Sequence, residues 1–497
     1  MKKEKSYYQE YYESLSESER LPLDDYFSEL SKRITLAKKH ERLMHEDFEK
    51  AFLYFSRSGI DIETAVSRLS VSKLGGFYAR PPVTWFPLDD AAMIYPLSMK
   101  KHQMAVFRIS FYLKEDIVPE LLQIALTFTI KRFPSFATTV KKGFFWHYLD
   151  STKRRFVAEP ETDIPCHPIN ISSSGAQSFR VLFFGRRIST EFFHVLTDGA
   201  GGMIFMKTLV AEYLRLLGAN IPCVCGVLNI DEVPTDSETS NDFPKAELTE
   251  KKSGFMDKPA VQMSGRLSAI KPCQILHFEL NGSVLKEAAA KRGASVTAYF
   301  LALMFIAHRY STEGHNGRVQ IQVPVDMRKY YESNTLRNFS LYCSIKLALS
   351  KIYGLDEILP EIREQLKLKA SERAMNEMMN AAVSLVRYLR YVPLLIKRPV
   401  AGVVYGSLGD RVFSNTLSNL GLVKTPEEMA EKVEKIDFIL GTAVTNRAAC
   451  SMITFENTTV FSVVKCTADP SFEEKLFSLL TDEGLNPTVR GSMLYGK

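Results

Sequence analysis

The chain has 497 residues, which is long enough for two sizeable hydrophobic cores. Its composition, with 45% hydrophobic and 24% charged residues, is ordinary for a globular protein, and the sequence contains no zinc-finger, helicase or phosphate-loop pattern. The net charge of +6 is modest for this length. It is compatible with an anionic ligand or an acidic partner protein, and it does not indicate nucleic-acid binding.

Residues 1–82 are polar and are predicted to form an N-terminal helical extension. The hydrophobic spacing indicates helices over residues 23–45, 45–55 and 61–69. A partly disordered tail is the alternative interpretation. The pairs Gly75-Gly76 and Pro81-Pro82 then mark a boundary.

Residues 83–218 are predicted to form a first lobe that mixes helices with antiparallel strands. The central hairpin joins strands 179–184 and 187–193 around Gly185-Arg186. A strongly apolar helix over residues 203–217 follows and ends at Gly218. Before the hairpin, the pattern predicts a strand, a helix and a second hairpin over 105–113, 116–133 and 136–149.

Residues 219–272 are predicted to be a crossover linker, because the segment 231–258 is polar and unusually long for a connection inside one compact unit. Residues 273–497 are predicted to form a second lobe of the same class as the first. Its predicted helices lie at 283–292, 295–310, 355–389 and 471–480, and its strands at 274–280, 319–325, 339–349, 412–418, 438–446, 449–455 and 460–465. Three methionines of the long helix are predicted core residues, with an apolar substrate lining as the alternative: Met375, Met378 and Met379.

The cysteines and the apolar segments favour a cytoplasmic protein. Seven cysteines are scattered along the chain, and the one close pair, Cys223 and Cys225, has the wrong spacing for a zinc knuckle. Residues 1–5 have the charge of a signal peptide but are followed by polar residues. The apolar stretch 381–404 is interrupted by four basic residues, so it is not predicted to span a membrane.

The motif His194-Val-Leu-Thr-Asp198-Gly199 joins the central hairpin to the apolar helix. A histidine fixed at the end of a strand is well placed to be a general base near neutral pH, and the glycines allow the backbone to turn sharply. Asp198 lies beyond the turn, so it is predicted to cap the helix or to bind an arginine rather than to complete a triad. A core histidine with a capping aspartate is the alternative. The local sequence offers no third metal ligand.

This motif resembles the His-x-x-x-Asp-Gly signature of the CoA-dependent acyltransferase superfamily, which includes alcohol O-acetyltransferases, chloramphenicol acetyltransferase and the condensation domains of peptide synthetases. The resemblance covers roughly residues 83–480 and is strongest to the alcohol O-acetyltransferase branch. The plant BAHD motif Asp-Phe-Gly-x-Gly has no match here, which argues against that branch. Other segments occur in the order expected for the superfamily: Trp85-Phe-Pro-Leu-Asp-Asp90, Arg132-Phe-Pro134, Phe145-Trp-His-Tyr148, Val325-Asp-Met-Arg328, Asn338-Phe339 and Ser418-Asn-Leu-Gly421.

The resemblance implies an α/β protein of the α+β type, built from two similar chloramphenicol-acetyltransferase-like lobes with a channel between them. It also implies an acyltransferase that moves an acyl group, with acetyl the first expectation, from a CoA thioester to the hydroxyl or amine of a small acceptor. His194 would be the general base, and no covalent acyl-enzyme would form. Acyl-CoA would be a cosubstrate rather than a bound cofactor.

The resemblance further assigns supporting roles to four residues. Asp198 would pair with an arginine of the other lobe, for which Arg328 is the first candidate, while Gly199 would leave room for the backbone. Ser418 or Asn419 would stabilise the oxyanion; a turn or bulge between a strand and a helix is the alternative reading of that segment. The sequence does not exclude three other arginines as partners of Asp198: Arg186, Arg187 and Arg337.

Two other functions remain open at this point. A condensation-like enzyme would share His194 but would take its acyl group from an acyl carrier protein, which would then be a partner. A non-catalytic relative would use the channel only for binding, although the intact His194, Asp198 and Gly199 favour an enzyme.

Overall fold

The computed structural model describes residues 6–80, 84–99, 104–171, 176–247, 259–314, 316–408, 411–442 and 446–495. Three predicted features lie wholly or partly outside these ranges: the charged residues 1–5, the boundary at Pro81-Pro82, and the part of the polar crossover from 248 to 258.

The N-terminal extension is a helical layer packed on the first lobe. Two ion pairs fasten it there, between Asp47 and Arg155 (Oδ1 to Nη2, 2.6 Å) and between Lys73 and Glu212 (2.8 Å). The alternative of a disordered tail is therefore wrong for residues 6–80. The predicted helix 23–45 is also wrong, because the chain is extended at Ile34 and divides it into two helices. The four helices are α1 (Tyr7–Ser14), α2 (Glu17–Arg33), α3 (Lys38–Arg57) and α4 (Ile62–Arg68).

A five-stranded sheet forms the first lobe, and the predicted central hairpin is its middle. The two hairpin strands pair antiparallel around Gly185, whose φ of +52° suits a glycine. The elements in chain order are β1 (Trp85–Pro87), α5 (Tyr95–Ser98), β2 (Val106–Leu113), α6 (Pro119–Thr129), β3 (Thr138–Lys142), β4 (His147–Ser151), β5 (Ala158–Pro160), β6 (Phe179–Phe184), β7 (Arg187–Phe193) and α7 (Gly199–Leu216).

Strands β2 and β7 have one apolar and one charged face, and both faces are buried. Phe107 and Phe192 are paired across the strands with ring centroids 5.2 Å apart, and Phe192 also meets Phe205 of α7. On the opposite face, Arg108 lies 3.7 Å from Glu191. The alternation of strand side chains therefore directs one set toward the helices and the other into a network of ion pairs.

The crossover packs against both lobes where the structure describes it. Glu238 accepts two hydrogen bonds from Arg132 of the first lobe, at 2.6 and 2.7 Å, and its carbonyl accepts one from the backbone N–H of Leu336 in the second lobe. Phe243 is fully buried against Phe339. The predicted crossover thus joins the lobes through specific contacts.

A seven-stranded sheet in the order β10-β9-β11-β13-β14-β8-β15 forms the second lobe. Its elements are β8 (Gln274–Asn281), α8 (Gly282–Lys291), α9 (Val296–Tyr310), β9 (Arg318–Asp326), β10 (Ser340–Ala348), α10 (Leu355–Lys369), α11 (Glu372–Tyr388), α12 (Leu394–Leu408), β11 (Asn415–Val423), α13 (Glu427–Ala430), β13 (Ala448–Phe455), β14 (Thr458–Lys465), α14 (Ser471–Asp482) and β15 (Thr488–Gly491), with β12 (Val433–Leu440) preceding β13 in the chain.

Strand β12 leaves the second lobe and completes the first. It pairs antiparallel with β2, so that the first sheet has the order β12-β2-β7-β6-β5. The prediction of a strand at 438–446 is wrong in position, because the strand begins at Val433 and ends at Leu440.

The predicted helix 355–389 is two helices. The first ends at Lys369, and Ser371 caps the second, since its Oγ accepts a hydrogen bond from the N–H of Ala374. Met375 and Met379 are buried in the core of the second lobe and Met378 packs against it, as core residues do. Within the described residues, no helix is both long and apolar enough to cross a bilayer.

Candidate active site at the junction of the lobes

His194 is held at the end of β7 by contacts on both sides of its ring. Its backbone N–H donates to the carbonyl of Ala105 at 2.8 Å. Tyr95 of α5 stacks on one face of the ring, with centroids 4.9 Å apart, and the edge of Phe107 lies at 5.1 Å. The residue is nevertheless partly exposed. The ring is therefore oriented by packing and is still open to a ligand.

Asn338 of the second lobe reaches His194 across the junction. Its Nδ2 donates to the backbone carbonyl of His194 at 2.9 Å and lies 3.1 Å from Nδ1 of the ring. The Nε2 atom has no hydrogen-bond partner among the described residues. Nε2 is thus the ring nitrogen without a partner among the described residues, and it is the basic nitrogen in the tautomer that carries the proton on Nδ1.

The surroundings keep the imidazole neutral. Burial lowers the pKa of His194 below its ordinary value, and the negative charge of Asp198 and a hydrogen bond to the histidine's own backbone oppose this only in part. A neutral ring at pH 7 has the free lone pair that a general base requires.

Asp198 is both a helix cap and the partner of an arginine, which were the two roles open to it from the sequence. Its Oδ1 accepts from the N–H of Gly201 at 3.1 Å, and its Oδ2 accepts from Arg328 Nη1 at 2.8 Å and from the N–H of Phe339 at 2.7 Å. Burial would raise the pKa of Asp198, but Arg328 and the backbone donors outweigh it and leave the pKa below its ordinary value.

Arg328 uses all five of its N–H donors inside the protein. Nη1 bonds Asp198 and Asp326, Nη2 bonds the carbonyls of Thr335 and Arg337, and Nε bonds the carbonyl of Thr335 again. No donor remains for a substrate. Arg328 therefore joins the two lobes through these hydrogen bonds.

The other three candidate arginines have different partners. Arg186 pairs with Glu434, Arg187 with Glu161, and Arg337 with the buried Asp89. Among the described residues, the ion pair of Asp198 is therefore with Arg328.

Two glycines after the aspartate let the second lobe approach the turn. A Cβ on Gly199 would lie 2.6 Å from the side chain of Leu420, and one on Gly201 would overlap the carbonyl oxygen of Leu336 and Oγ1 of Thr197. These positions require glycine for close packing, although their φ angles are not in the left-handed region. Because Asp198 caps it, α7 begins at Gly199, four residues before the predicted start.

The two oxyanion candidates lie in an irregular part of β11. The register with β13 shifts between Asn419 and Leu422, so the alternative reading of this segment as a bulge describes its backbone. Asn419 is occupied, since its Nδ2 donates to Thr297 Oγ1 at 3.0 Å and its Oδ1 accepts from the N–H of Gly421. Ser418 Oγ has no partner in the part of the chain that the structure describes. Leu420 brings this bulge against Gly199.

Sequence reasoning missed Asn338 and Asp89 as parts of the site. Both lie in segments that carried the resemblance, which was the available signal. Asp89 is fully buried, its Oδ2 accepts from the backbone N–H of Asn338, and its Oδ1 lies 3.1 Å from Arg337 Nη2. Burial raises the pKa of Asp89 to about 7 against the opposing effect of Arg337. The carboxylate thus fixes the backbone whose side chain holds His194.

Two cavities of about 610 and 490 Å³ lie elsewhere. The first is lined by the segment from Pro259 to Arg266 together with Arg411 and Arg447, and the second by the charged face of the first sheet together with His277 and Arg490. His194 lines neither of these two cavities.

The sequence matches no protein-family model and no curated protein. Solved structures do match. Polyketide synthase associated protein 5 from Mycobacterium tuberculosis aligns with 80% of this chain and 98% of its own, with a TM-score of 0.56 and 11% identity. The TRI3 trichothecene 15-O-acetyltransferase from Fusarium sporotrichioides aligns with 81% and 94%, with a TM-score of 0.53 and 11% identity.

A condensation domain also matches. The first condensation domain of the calcium-dependent antibiotic synthetase aligns with 80% of this chain and 94% of its own, with a TM-score of 0.53 and 12% identity. The chain has the fold shared by acetyltransferases and condensation domains. The predicted resemblance to the CoA-dependent acyltransferase superfamily is confirmed at the level of the fold.

Proposed function

We propose that this protein is an acyltransferase that moves an acyl group, with acetyl as the first candidate, from a CoA thioester to the hydroxyl or amine of a small acceptor. The observation that carries the proposal is His194. It is a neutral, partly exposed imidazole with an unpartnered Nε2, and its ring is held by Tyr95, Phe107 and Asn338. The shared fold supports it, and one similar structure, TRI101 from F. sporotrichioides, contains coenzyme A.

In the proposed reaction, the acceptor and the thioester meet at His194. Nε2 takes the proton from the acceptor O–H or N–H while the acceptor attacks the thioester carbonyl carbon. The tetrahedral intermediate then expels the CoA thiolate as the C–S bond breaks, and the protonated histidine returns the proton to the sulfur. A single base therefore serves both steps without an acyl-enzyme.

The oxyanion of that intermediate needs a hydrogen-bond donor. We assign this role to Ser418 ahead of Asn419, because the Ser418 hydroxyl is uncommitted among the described residues while the Asn419 amide is held by Thr297. Asp198, Gly199 and Arg328 then shape the turn and join the lobes, and they do not touch the reacting atoms.

Free-thiol release from acetyl-CoA and longer acyl-CoAs, measured with a panel of alcohols and amines, tests the proposal. His194→Ala should abolish acceptor-dependent release with the circular dichroism spectrum unchanged. His167→Ala is the matched control, because this histidine is exposed on the same lobe, and the variant should retain full activity.

Absence of thiol release with every CoA donor, from well-folded wild-type protein, would contradict the proposal. The same acceptors would then be offered an acyl group on the phosphopantetheine arm of a carrier protein. Transfer from the carrier, dependent on His194, would indicate the condensation-type reaction instead.

A further inference from the structure

The hairpin β3–β4 and the helices α11 and α12 together form an exposed apolar surface. The N–H of Leu394 donates to the carbonyl of Phe144, and Lys397 donates to the carbonyl of Phe145 at 2.8 Å. The Lys397 ammonium also lies 3.2 Å from the centre of the Trp146 ring. These contacts fix the hairpin tip to the start of α12.

Large apolar side chains project outward from this junction. The four most exposed are Leu395 at 86%, Tyr388 at 78%, Tyr391 at 74% and Phe144 at 73%. A cluster of this size is not the scattered apolar exposure that every protein has. We call it the aromatic–basic surface; its apolar members are Phe144, Phe145, Tyr388, Tyr391, Leu395, Ile396 and Val400, and its exposed basic members are Lys142, Arg387, Arg390 and Arg398.

The segment of residues 378–409 that contributes to this surface carries basic charge only, while Asp150 of β4 and Glu372 and Glu377 of α11 lie on the same elements. Between Glu377 and Asp410 the chain contains no acidic residue and four basic ones. Lys397 is one of the four, but it is buried beneath Trp146, so three arginines face solvent there. Lys142 adds a fourth exposed cation from the hairpin.

We propose that the aromatic–basic surface docks on an anionic lipid membrane. Aromatic and aliphatic side chains surrounded by Arg and Lys suit the boundary between headgroups and acyl chains, where the rings insert and the cations meet lipid phosphates. A protein partner would need a matching cavity for each projecting side chain, whereas a fluid lipid surface accepts any outline. The projecting shape therefore favours lipid over an acidic protein.

The surface lies close to the candidate active site. Helix α12 packs against α5, and Tyr95 of α5 stacks on His194. Among the described residues, α5 therefore contacts both α12 of the docking surface and the histidine. Vesicle binding does not require acyl transfer, so the proposal stands whether or not the proposed function does.

Flotation of the full chain with lipid vesicles tests the proposal. We expect binding to phosphatidylcholine vesicles that contain about one-third phosphatidylserine, weak binding to phosphatidylcholine alone, and loss of binding as salt is raised. Leu395→Ser should weaken binding by about tenfold or more. Val233→Ser is the matched control, because Val233 is 84% exposed elsewhere, and this variant should bind as the wild type does.

A charge-matched pair of variants tests the electrostatic part. Arg387→Gln/Arg390→Gln/Arg398→Gln should lower binding by about 50-fold or more, since each basic residue near an anionic surface contributes about fivefold. The control Lys32→Gln/Lys38→Gln/Lys39→Gln removes the same charge from exposed positions of the N-terminal extension and should have a much smaller effect.

Three outcomes would overturn the proposal. The first is equal binding to neutral and anionic vesicles, or to neither. The second is saturable binding of a phosphopantetheinylated acyl carrier protein, but not of vesicles, that Leu395→Ser abolishes. The third is that the wild type binds no vesicles but forms a concentration-dependent dimer in sedimentation, and that Leu395→Ser dissociates this dimer. A second copy of the chain would then be the occupant of the surface.

Discussion

Replacing Arg328 by methionine, which keeps much of its volume, should destabilise the junction of the lobes by about 3–5 kcal/mol. The magnitude follows from burial, since the side chain of Asp198 is only 4% exposed and that of Arg328 16%. Without the guanidinium, Asp198 keeps two backbone donors but no cation. The carbonyls of Thr335 and Arg337 lose their donors as well.

The stability lost by Arg328→Met should also depend on pH in a definite direction. In the wild type the pKa of Asp198 is lowered, so its contribution to stability is present at neutral pH and is lost as the pH falls through that pKa. Without Arg328, only the two backbone donors oppose the effect of burial, so the pKa of Asp198 rises and the folded variant holds its proton to higher pH than the wild type does. The loss of unfolding free energy caused by Arg328→Met should therefore be largest at neutral pH and become smaller toward pH 4.

Urea unfolding followed by circular dichroism measures the effect, and the melting temperature gives an independent value. For a chain of this length that unfolds as one unit, an unfolding entropy of about 2.1 cal/mol/K per residue gives an expected decrease of about 3–5 °C. The double variant Asp198→Asn/Arg328→Met should recover part of the loss, because it removes the uncompensated charge and keeps the cap on Gly201. A loss below about 1 kcal/mol, or no recovery in the double variant, would refute the reasoning.

Two further predictions concern the base and the turn. The value of kcat/KM should rise with pH along a single limb and then stay level. The apparent pKa of the rise should lie below the ordinary histidine value of about 6.5, because burial lowers the pKa of His194. A midpoint above about pH 7 would contradict this prediction. Gly201→Ala should lower the free energy of unfolding by about 2 kcal/mol or more, because the added methyl group overlaps Leu336. Gly76→Ala is the control and should leave the free energy unchanged, because a Cβ there meets no atom within 4 Å. Equal urea midpoints for the two variants would contradict the packing argument.

The elements that the sequence predicted well are those whose pattern is local. The central hairpin has period-two apolar residues around a glycine turn, and its strands match the prediction residue for residue. Helix α7 begins earlier than predicted because glycine has low helix propensity, and its presence there reflects the close approach of Leu336 and Leu420. The helix start itself is set by the Asp198 cap.

The site was only partly accessible to sequence reasoning. The motif identifies His194 and Asp198, and Arg328 was the first candidate for the partner of Asp198. Three other arginines were excluded only when the structure showed what each one contacts. Asn338 meets His194 across 144 positions of sequence, so although Asn338-Phe339 carried part of the resemblance, no local pattern placed its side chain on the histidine. Strand β12 was misplaced for a similar reason, since its register is set by β2, which lies roughly three hundred residues earlier.

The position of β12 has a consequence for how the chain is made. During synthesis, residues 106–113 leave the ribosome long before residues 433–440, so one edge of β2 stays unpaired while most of the chain is added. An unpaired edge of a nascent sheet invites association with other chains. The first lobe can finish folding only after most of the chain has emerged, and the last strand of its sheet to arrive binds the two lobes into one folding unit.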